Sequence, residues 1–416
     1  MTSARPARAG EMSRPDITFL VPNIGGPSLG FALAYARALA ARWRVQMVGP
    51  DFWGVGVMPM YRGGFDYTIV PARHLYRYPD YWWESRRLAR AVTGDVIFAV
   101  KAMPQTVGVA LREKRRRGAK VVVCLDEWDG ALMARRNPAE RRAWWRRHWL
   151  HPLEENYYPR VERLLPQADQ IVSTSSFLQR RFGGVVVRMG ADTERFRPLA
   201  PEDKAAVRAE LGIAPEQRVI VFGGMVRPHK GVELILEAMA QAADPALRLL
   251  VIGPVTETLA ALMQGPQGAK IIAAGQKPSA EMPRWLGAGD LTVLPMKDDQ
   301  LAHSQVPCKV FEAMAIGQPV LAGAVSDLPE IVSGAGAVFP SGDAQALAGL
   351  LRHWRQNPGW LVPLGREARR KCEHLYSAAR TRQDLAAVLT ALMGTGPARE
   401  DRIDRCREAG QSLECS

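Results

Sequence analysis

The sequence predicts an α/β protein of two doubly wound, Rossmann-like domains facing each other across a cleft. Three observations carry this. Short apolar runs alternate along the chain with longer segments of helical spacing. The runs are continuously apolar, as strands are when helices cover both faces of a parallel sheet. The 416 residues exceed one ordinary core, and the series breaks once and restarts.

In the first series ITFLVP (17–22), RVQMVGP (44–50), DVIFAV (95–100), KVVVCLD (120–126) and QIVSTS (170–175) read as strands. LGFALAYARALAARW (29–43) reads as a helix between them. The polar stretch 190–213, with Pro198 and Pro201, reads as the junction. The second series is RVIVFGG (218–224), a strand at 248–253, KIIAAG (270–275), LTVLPM (291–296), QPVLAG (318–323) and GAVFP (336–340). The expected organisation is a disordered lead at 1–15, a first domain at 16–200 and a second at 201–370. A C-terminal helix at 371–393 has the option of packing back on the first domain, and 394–416 reads as a disordered tail. Ligands of such sheets bind beyond the carboxyl ends of the strands, so the cleft is the expected site.

Composition narrows the function. A hydrophobic fraction of 47% and a charged fraction of 23% suit a soluble globular protein. No apolar run approaches the ~20 residues that span a bilayer. The first residues carry arginine but no apolar h-region, so no secretory signal is read there. Five scattered cysteines without a C-x-x-C pair argue against a disulfide framework or zinc site and for a reducing cytoplasm. The net charge of +13 clusters as arginine in 112–120 and 140–149. No nucleic-acid-binding motif accompanies it, which leaves a solvated arginine surface, an anionic substrate or an anionic membrane.

Two stretches carry chemistry. GGMVRPHKG (223–231) follows a strand and precedes a helix. The glycine pair, with Gly224, permits a tight turn, and Arg227 and Lys230 beside a helix start suit an anion. A charged surface loop fits the same letters. In VPCKVFEAMAIGQPVLAG (306–323) every residue from Val310 to Ile316 is apolar except Glu312. A carboxylate on so apolar a helix needs a partner: vicinal hydroxyls of a ribose, or a structural Lys or Arg. Lys309, in the first turn, again suits an anion.

These stretches, with VSTSSFLQRRFG, RMGADTERFRP and GQKPSAEMPRWLGAGDLTVLP, resemble family 4 glycosyltransferases of the GT-B fold from about 170 to 340. The resemblance implies transfer of a hexose-type sugar from a nucleoside diphosphate to a hydroxyl of a glycan or lipid-linked acceptor of cell-envelope type, with retention. It implies no cofactor and no metal. It places Arg227 and Lys230 on the diphosphate, the amides of Val310 and Phe311 near it, Glu312 on the ribose, and Gln276 and Lys277 near the base. The Glu-x7-Glu motif is incomplete: eight residues before Glu312 stands Ser304, so His303, Ser304 and Gln305 are the candidates to replace the first Glu. Many relatives place a His after the strand that here reads VVVCLDEWDG; this chain has Asp126, Glu127 and Asp129 there. An acidic pair there, with Asp126 the catalytic candidate, is read as orienting the acceptor hydroxyl or the sugar, a surface turn being the alternative. Gly25 and Gly26, after the first strand, are read as letting backbone amides approach the diphosphate or acceptor, or as a plain turn.

In ERRAWWRRHWLHPLEENYYPRVERLL (140–165) Trp144, Trp145 and Trp149 interleave with arginine. The segment suits either an interfacial helix on anionic membrane, at the inner face of the cell membrane, or a helix packing its tryptophans into the first domain. Two rival functions remain open at this point: a sugar-nucleotide epimerase of the same fold, and a nucleotide-sugar-binding protein without turnover. No nucleic-acid partner is expected.

Overall fold

A computed structural model describes residues 16–72, 77–227 and 230–393; the lead read at 1–15 and the tail read at 394–416 lie outside them. The first sheet comprises β1 (Ile17–Leu20), β2 (Val45–Asp51), β3 (Asp66–Pro71), β4 (Val96–Val100), β5 (Lys120–Leu125), β6 (Gln170–Ser173) and β7 (Val185–Val186). The second comprises β8 (Arg218–Gly223), β9 (Leu247–Ile252), β10 (Ile271–Gly275), β11 (Leu291–Leu294), β12 (Val320–Gly323) and β13 (Gly336–Phe339). The orders are β3-β2-β1-β4-β5-β6-β7 and β10-β9-β8-β11-β12-β13, with the pairs parallel throughout.

The central strands are buried end to end because helices cover both faces. β4, VIFAV, has no exposed residue. Phe19 of β1 stacks on Phe98 of β4 at 4.7 Å and closes the middle of the first sheet. β3 and β7 escape the sequence pattern because both are edge strands. β3 carries Asp66 and Pro71 and is half exposed, and β7 has only two residues.

Strand order reverses between β1 and β4 and between β8 and β11, so each sheet opens a crevice at its carboxyl edge there. The chain crosses between domains earlier than Pro198 and Pro201 suggest. Val187 still donates to Ser173 of β6, whereas Ala191 and Phe196 already pack in the second core. The 200/201 boundary therefore moves back to about 187–191. A second crossing lies beside it. Ala191 donates to the Tyr376 carbonyl and Ala378 donates to the Ala191 carbonyl.

The C-terminal segment is two helices, not one helix over 371–393. Leu361–Leu375 stays on the second domain, where Ala368 and Cys372 are buried. Ala378–Met393 returns to the first and packs Leu385, Val388 and Leu389 into the core of the Ser28–Leu39 helix. Leu385 is fully buried in that returning contact. Leu385→Ala should lower unfolding stability by about 2–5 kcal/mol, read as an earlier urea midpoint.

Candidate functional site

On the second domain the site begins where β8 ends. Gly224 has φ 105°, and a Cβ there would lie 2.6 Å from Lys309 Nζ. Only glycine lets the Lys309 ammonium lie over this loop. The Gly224 amide donates to the Ile252 carbonyl at 2.6 Å, which ties the loop to the end of β9. Arg227 is exposed, its Nε 3.2 Å from Met225 Sδ. Lys230 is partly buried, and its amide donates to the Arg227 carbonyl at 2.9 Å. Burial, then the charges of Lys309 and Arg227, lower the Lys230 pKa to about 8 against an opposing pull from Glu127. Among the described residues none of these three cations forms an ion pair.

Lys309 opens the helix Lys309–Ala315, and Glu312 sits one turn further. The Glu312 carboxylate stays partly accessible but lies deep enough that burial raises its pKa, against the pull of Lys309 and Arg195. It makes no hydrogen bond or ion pair among the described residues. The structural Lys or Arg that would have satisfied it is therefore not there. Val310 and Phe311 serve the fold: their side chains are buried, and their amides already donate to the carbonyls of Pro307 and Cys308. Beyond β10, Gln276 is exposed, and Lys277 rests its ammonium 3.6 Å above the Trp285 ring.

The first domain supplies an ionic cluster at the ends of β4 and β5. Lys101 follows β4 with φ 66° and is 5% exposed. Its ammonium donates to Glu127 and, at 2.9 Å, to Asp129, and lies 3.5 Å from Asp126. The three carboxylates outweigh its burial and raise its pKa. Burial in turn raises the carboxyls: Asp129 to about 6, and Asp126 upward despite Lys101. At Glu127 burial is outweighed by Lys101 and by the Gln305 hydrogen bond, so its pKa falls. Asp126 Oδ1 and Asp129 Oδ2 are buried without a hydrogen-bond partner. Lys101 escaped the sequence reading. Its only signal is a lone cation directly after an apolar strand, beside the switch point.

The cluster meets the second domain through Gln305, whose amide donates to Glu127. Ser304 does not open onto ligand. It is fully buried, accepting from the Trp128 amide at 2.9 Å and donating to the Leu301 carbonyl at 2.7 Å, while Ser175 donates to its carbonyl. His303 is held by Asp298 at 2.7 Å. Gly25 and Gly26 also differ from their reading. Both amides are taken by Asn23, and a Cβ on Gly25 would lie 3.0 Å from the Gly56 carbonyl. The smallness of Gly25 admits the neighbouring 53–56 loop. A cavity of ≈ 710 Å³ lies elsewhere on the second domain, against Trp354 and Leu361. Its cations Lys204 and Arg208 are paired with Asp290.

The family likeness covers the part of the chain that carries Arg227, Lys230, Lys309 and Glu312. The family described as "Glycosyl transferases group 1" matches residues 216–357. A GDP-mannose-dependent mannosyltransferase of Corynebacterium glutamicum, acting on a monoacylated phosphatidylinositol monomannoside, is 30% identical over 233 residues, 52% of this chain and 61% of its own. A D-inositol 3-phosphate glycosyltransferase of Segniliparus rotundus is 34% identical over 163 residues, 36% of this chain and 33% of its own. The chain thus spans from one third to about three fifths of these curated relatives. Anabaena HepE in complex with UDP superposes with a TM-score of 0.70 at 17% identity, over 90% of this chain and 100% of that one. The fold is GT-B.

Lys101 is the neutralising centre of its cluster. Lys101→Met should cost about 3–5 kcal/mol at neutral pH, because it strands buried carboxylates. Without the cation the folded pKa values of Asp126 and Asp129 rise further above the unfolded ones. That stability is present at low pH and lost as pH rises, so part of the loss should be recovered as pH falls, starting above the value of about 6 that Asp129 has beside Lys101. Urea denaturation across pH checks both.

Proposed function

We propose that the protein is a retaining glycosyltransferase moving a hexose-type sugar from a nucleoside diphosphate to an acceptor hydroxyl, on a glycan or lipid-linked cell-envelope acceptor. The carrying observation is a charge imbalance. Arg227, Lys230 and Lys309 crowd together without an ion pair among the described residues, and the pKa of Lys230 is lowered to about 8. A diphosphate supplies the missing anion. The unpartnered Glu312, one helical turn from Lys309, then accepts from the ribose hydroxyls. Gln276 and Lys277 stand on the base side. The UDP of the HepE complex and the GDP-mannose dependence of the Corynebacterium glutamicum relative support the same reading.

Transfer breaks the bond between the anomeric carbon and the β-phosphate oxygen and forms one to the acceptor oxygen. The acceptor proton leaves to the departing phosphate, so the residues needed are those that stabilise growing phosphate charge: Arg227, Lys230 and Lys309. Asp126 and Glu127 lie on the acceptor side. Glu127, bonded to Gln305 and near enough to Lys230 to affect its pKa, takes the place of the carboxylate missing at Ser304. No metal or organic cofactor enters this scheme. Peripheral contact with an anionic membrane at the cytoplasmic face belongs to the same reading.

Lys230→Ala and Arg227→Ala should each lower turnover by ~100-fold or more, measured as nucleoside diphosphate release from whichever of UDP-, GDP-, ADP- or dTDP-sugars raises the melting temperature. Wild-type turnover in both would overturn the assignment. The depressed pKa adds a pH signature. Above about 8 the free protein has lost a proton that bound diphosphate restores, so nucleotide affinity should fall as pH rises through 8 with proton uptake on binding. Calorimetry in two buffers reads this, and Lys230→Ala should abolish it.

A further inference from the structure

The aromatic segment of the sequence belongs to a larger surface. The helix Pro138–His148 buries no residue. Packing of all three tryptophans into the first domain is therefore not what the chain does. Trp144 and Trp145 are half-buried under Arg136 and Arg160, whose guanidinium carbons lie 3.9 and 4.1 Å from their rings, and Trp149 is 55% exposed. Tyr157 contacts Trp145 and donates to the Trp149 carbonyl, and its ring lies 6.5 Å from Tyr78. Tyr78 meets Tyr81, which joins the small apolar cluster of Phe52, Ala72 and Leu153. Around that cluster stand Trp53, Trp82 and Trp83, at 65%, 49% and 60% exposure.

Trp53 is presented by a braced loop. The Asp51 carboxylate accepts from the amides of Trp53, Gly54, Val55 and Gly56, so the tip does not need to be ordered on contact. The loop follows β2 and abuts Gly25, at the carboxyl edge that bears the Lys101 cluster. The aromatic surface therefore borders the cleft. Its charge is one-sided: Pro138–His148 carries four arginines against one glutamate. Arg142, Arg146 and Arg147 are exposed and form no ion pair among the described residues. On the neighbouring helix, Arg86 lies 3.1 Å over the Trp82 ring.

We infer that the surface of Trp53, Tyr78, Trp82, Trp83 and Trp149, flanked by Arg142, Arg146 and Arg147, seats the protein on an anionic lipid bilayer beside the mouth of its cleft. Amphipathic rings at headgroup depth with unpaired cations around them are what such an interface takes. A second copy fits less well, since a two-fold contact through this face sets arginine against arginine. No described helix is long and apolar enough to cross a membrane, so the contact is peripheral. The inference rests on the transferase reading only for what the membrane delivers, an amphipathic acceptor.

The test is co-sedimentation of the full chain with phosphatidylcholine vesicles, with and without phosphatidylglycerol, at about 0.15 M salt. Wild type should sediment with the anionic vesicles, with a blue shift of tryptophan emission, and stay in solution with the neutral ones. Trp82→Ser/Trp83→Ser/Trp149→Ser should lose binding at unchanged melting temperature. Arg142→Gln/Arg146→Gln/Arg147→Gln should bind on the order of 100-fold more weakly, at roughly fivefold per cation near an anionic surface. Wild type left in solution with anionic vesicles overturns the inference. So does a tryptophan variant that sediments like wild type, or a wild-type dimer that this variant dissolves. No sugar nucleotide is present, so failure here leaves the transferase reading intact, and failure of donor binding leaves this one intact.

Discussion

Two parallel sheets can share one site only if their carboxyl edges are held face to face, and here a seam of buried polar contacts does that. Ser304 stands at its centre, bonded to Trp128 and Ser175 of the first domain. Further along, Asp327 accepts from the Ser176 amide at 2.8 Å and pairs with Arg188 at 2.6 Å. Arg135 meets Asp299 at 2.8 Å nearer the surface. The two chain crossings at 187–191 and 376–378 run side by side and limit how the domains can turn. Burying this much polarity is tolerable because nearly every group in it has a partner.

The two edges solve their electrostatics in opposite ways. The first domain gathers three carboxylates around the single ammonium of Lys101, so its edge keeps no positive charge to attract a phosphate. The second gathers three cations and leaves them bare; burial first, and then the charges of Lys309 and Arg227, depress the pKa of Lys230. Crowded cations with no internal anion mark the side that waits for a ligand. The first domain's cluster is a rigid set of acceptors, with Asp126 and Asp129 each keeping a buried oxygen unsatisfied. On the proposed reading that asymmetry divides the cleft into a phosphate side and a hydroxyl side.

Much of this was legible in the letters, for identifiable reasons. The continuous apolar strands at 95–100 and 120–126 announced a covered parallel sheet, and a lone Glu312 in an apolar run announced a missing partner. What stayed hidden depended on long-range contact. β3 has the composition of a loop because it is an edge. Lys101 is one lysine among many until the fold sets it between Asp126, Glu127 and Asp129. Ser304 looked like a substituted ligand but is a seam residue, since its neighbours Trp128 and Ser175 lie 176 and 129 positions away. Gly25 and Gly26 looked like ligand-facing amides, but both amides are taken by Asn23, and Gly25 makes room for the 53–56 loop, which nothing local reveals.

The position of Ser304 also changes how donor recognition is divided. A glutamate there would project its carboxylate from the second domain, the same body that carries Arg227, Lys230, Lys309 and Glu312. With Ser304 committed to the seam, the carboxylate bonded to its neighbour Gln305 is Glu127, which belongs to the first domain. On the proposed reading the nucleotide end of the donor is held by one domain alone, while its sugar end is read only when both are together. Selectivity for the sugar is then coupled to closure: a donor of the wrong sugar can still dock through its phosphates but gains nothing from bringing Glu127 across. The price in this arrangement is that Glu127 must stay charged within a buried cluster, and Lys101 and Gln305 keep it so by lowering its pKa against the pull of burial. The ionic cluster of the first domain, which looks structural taken by itself, is thereby what allows the second domain's site to do without its own carboxylate.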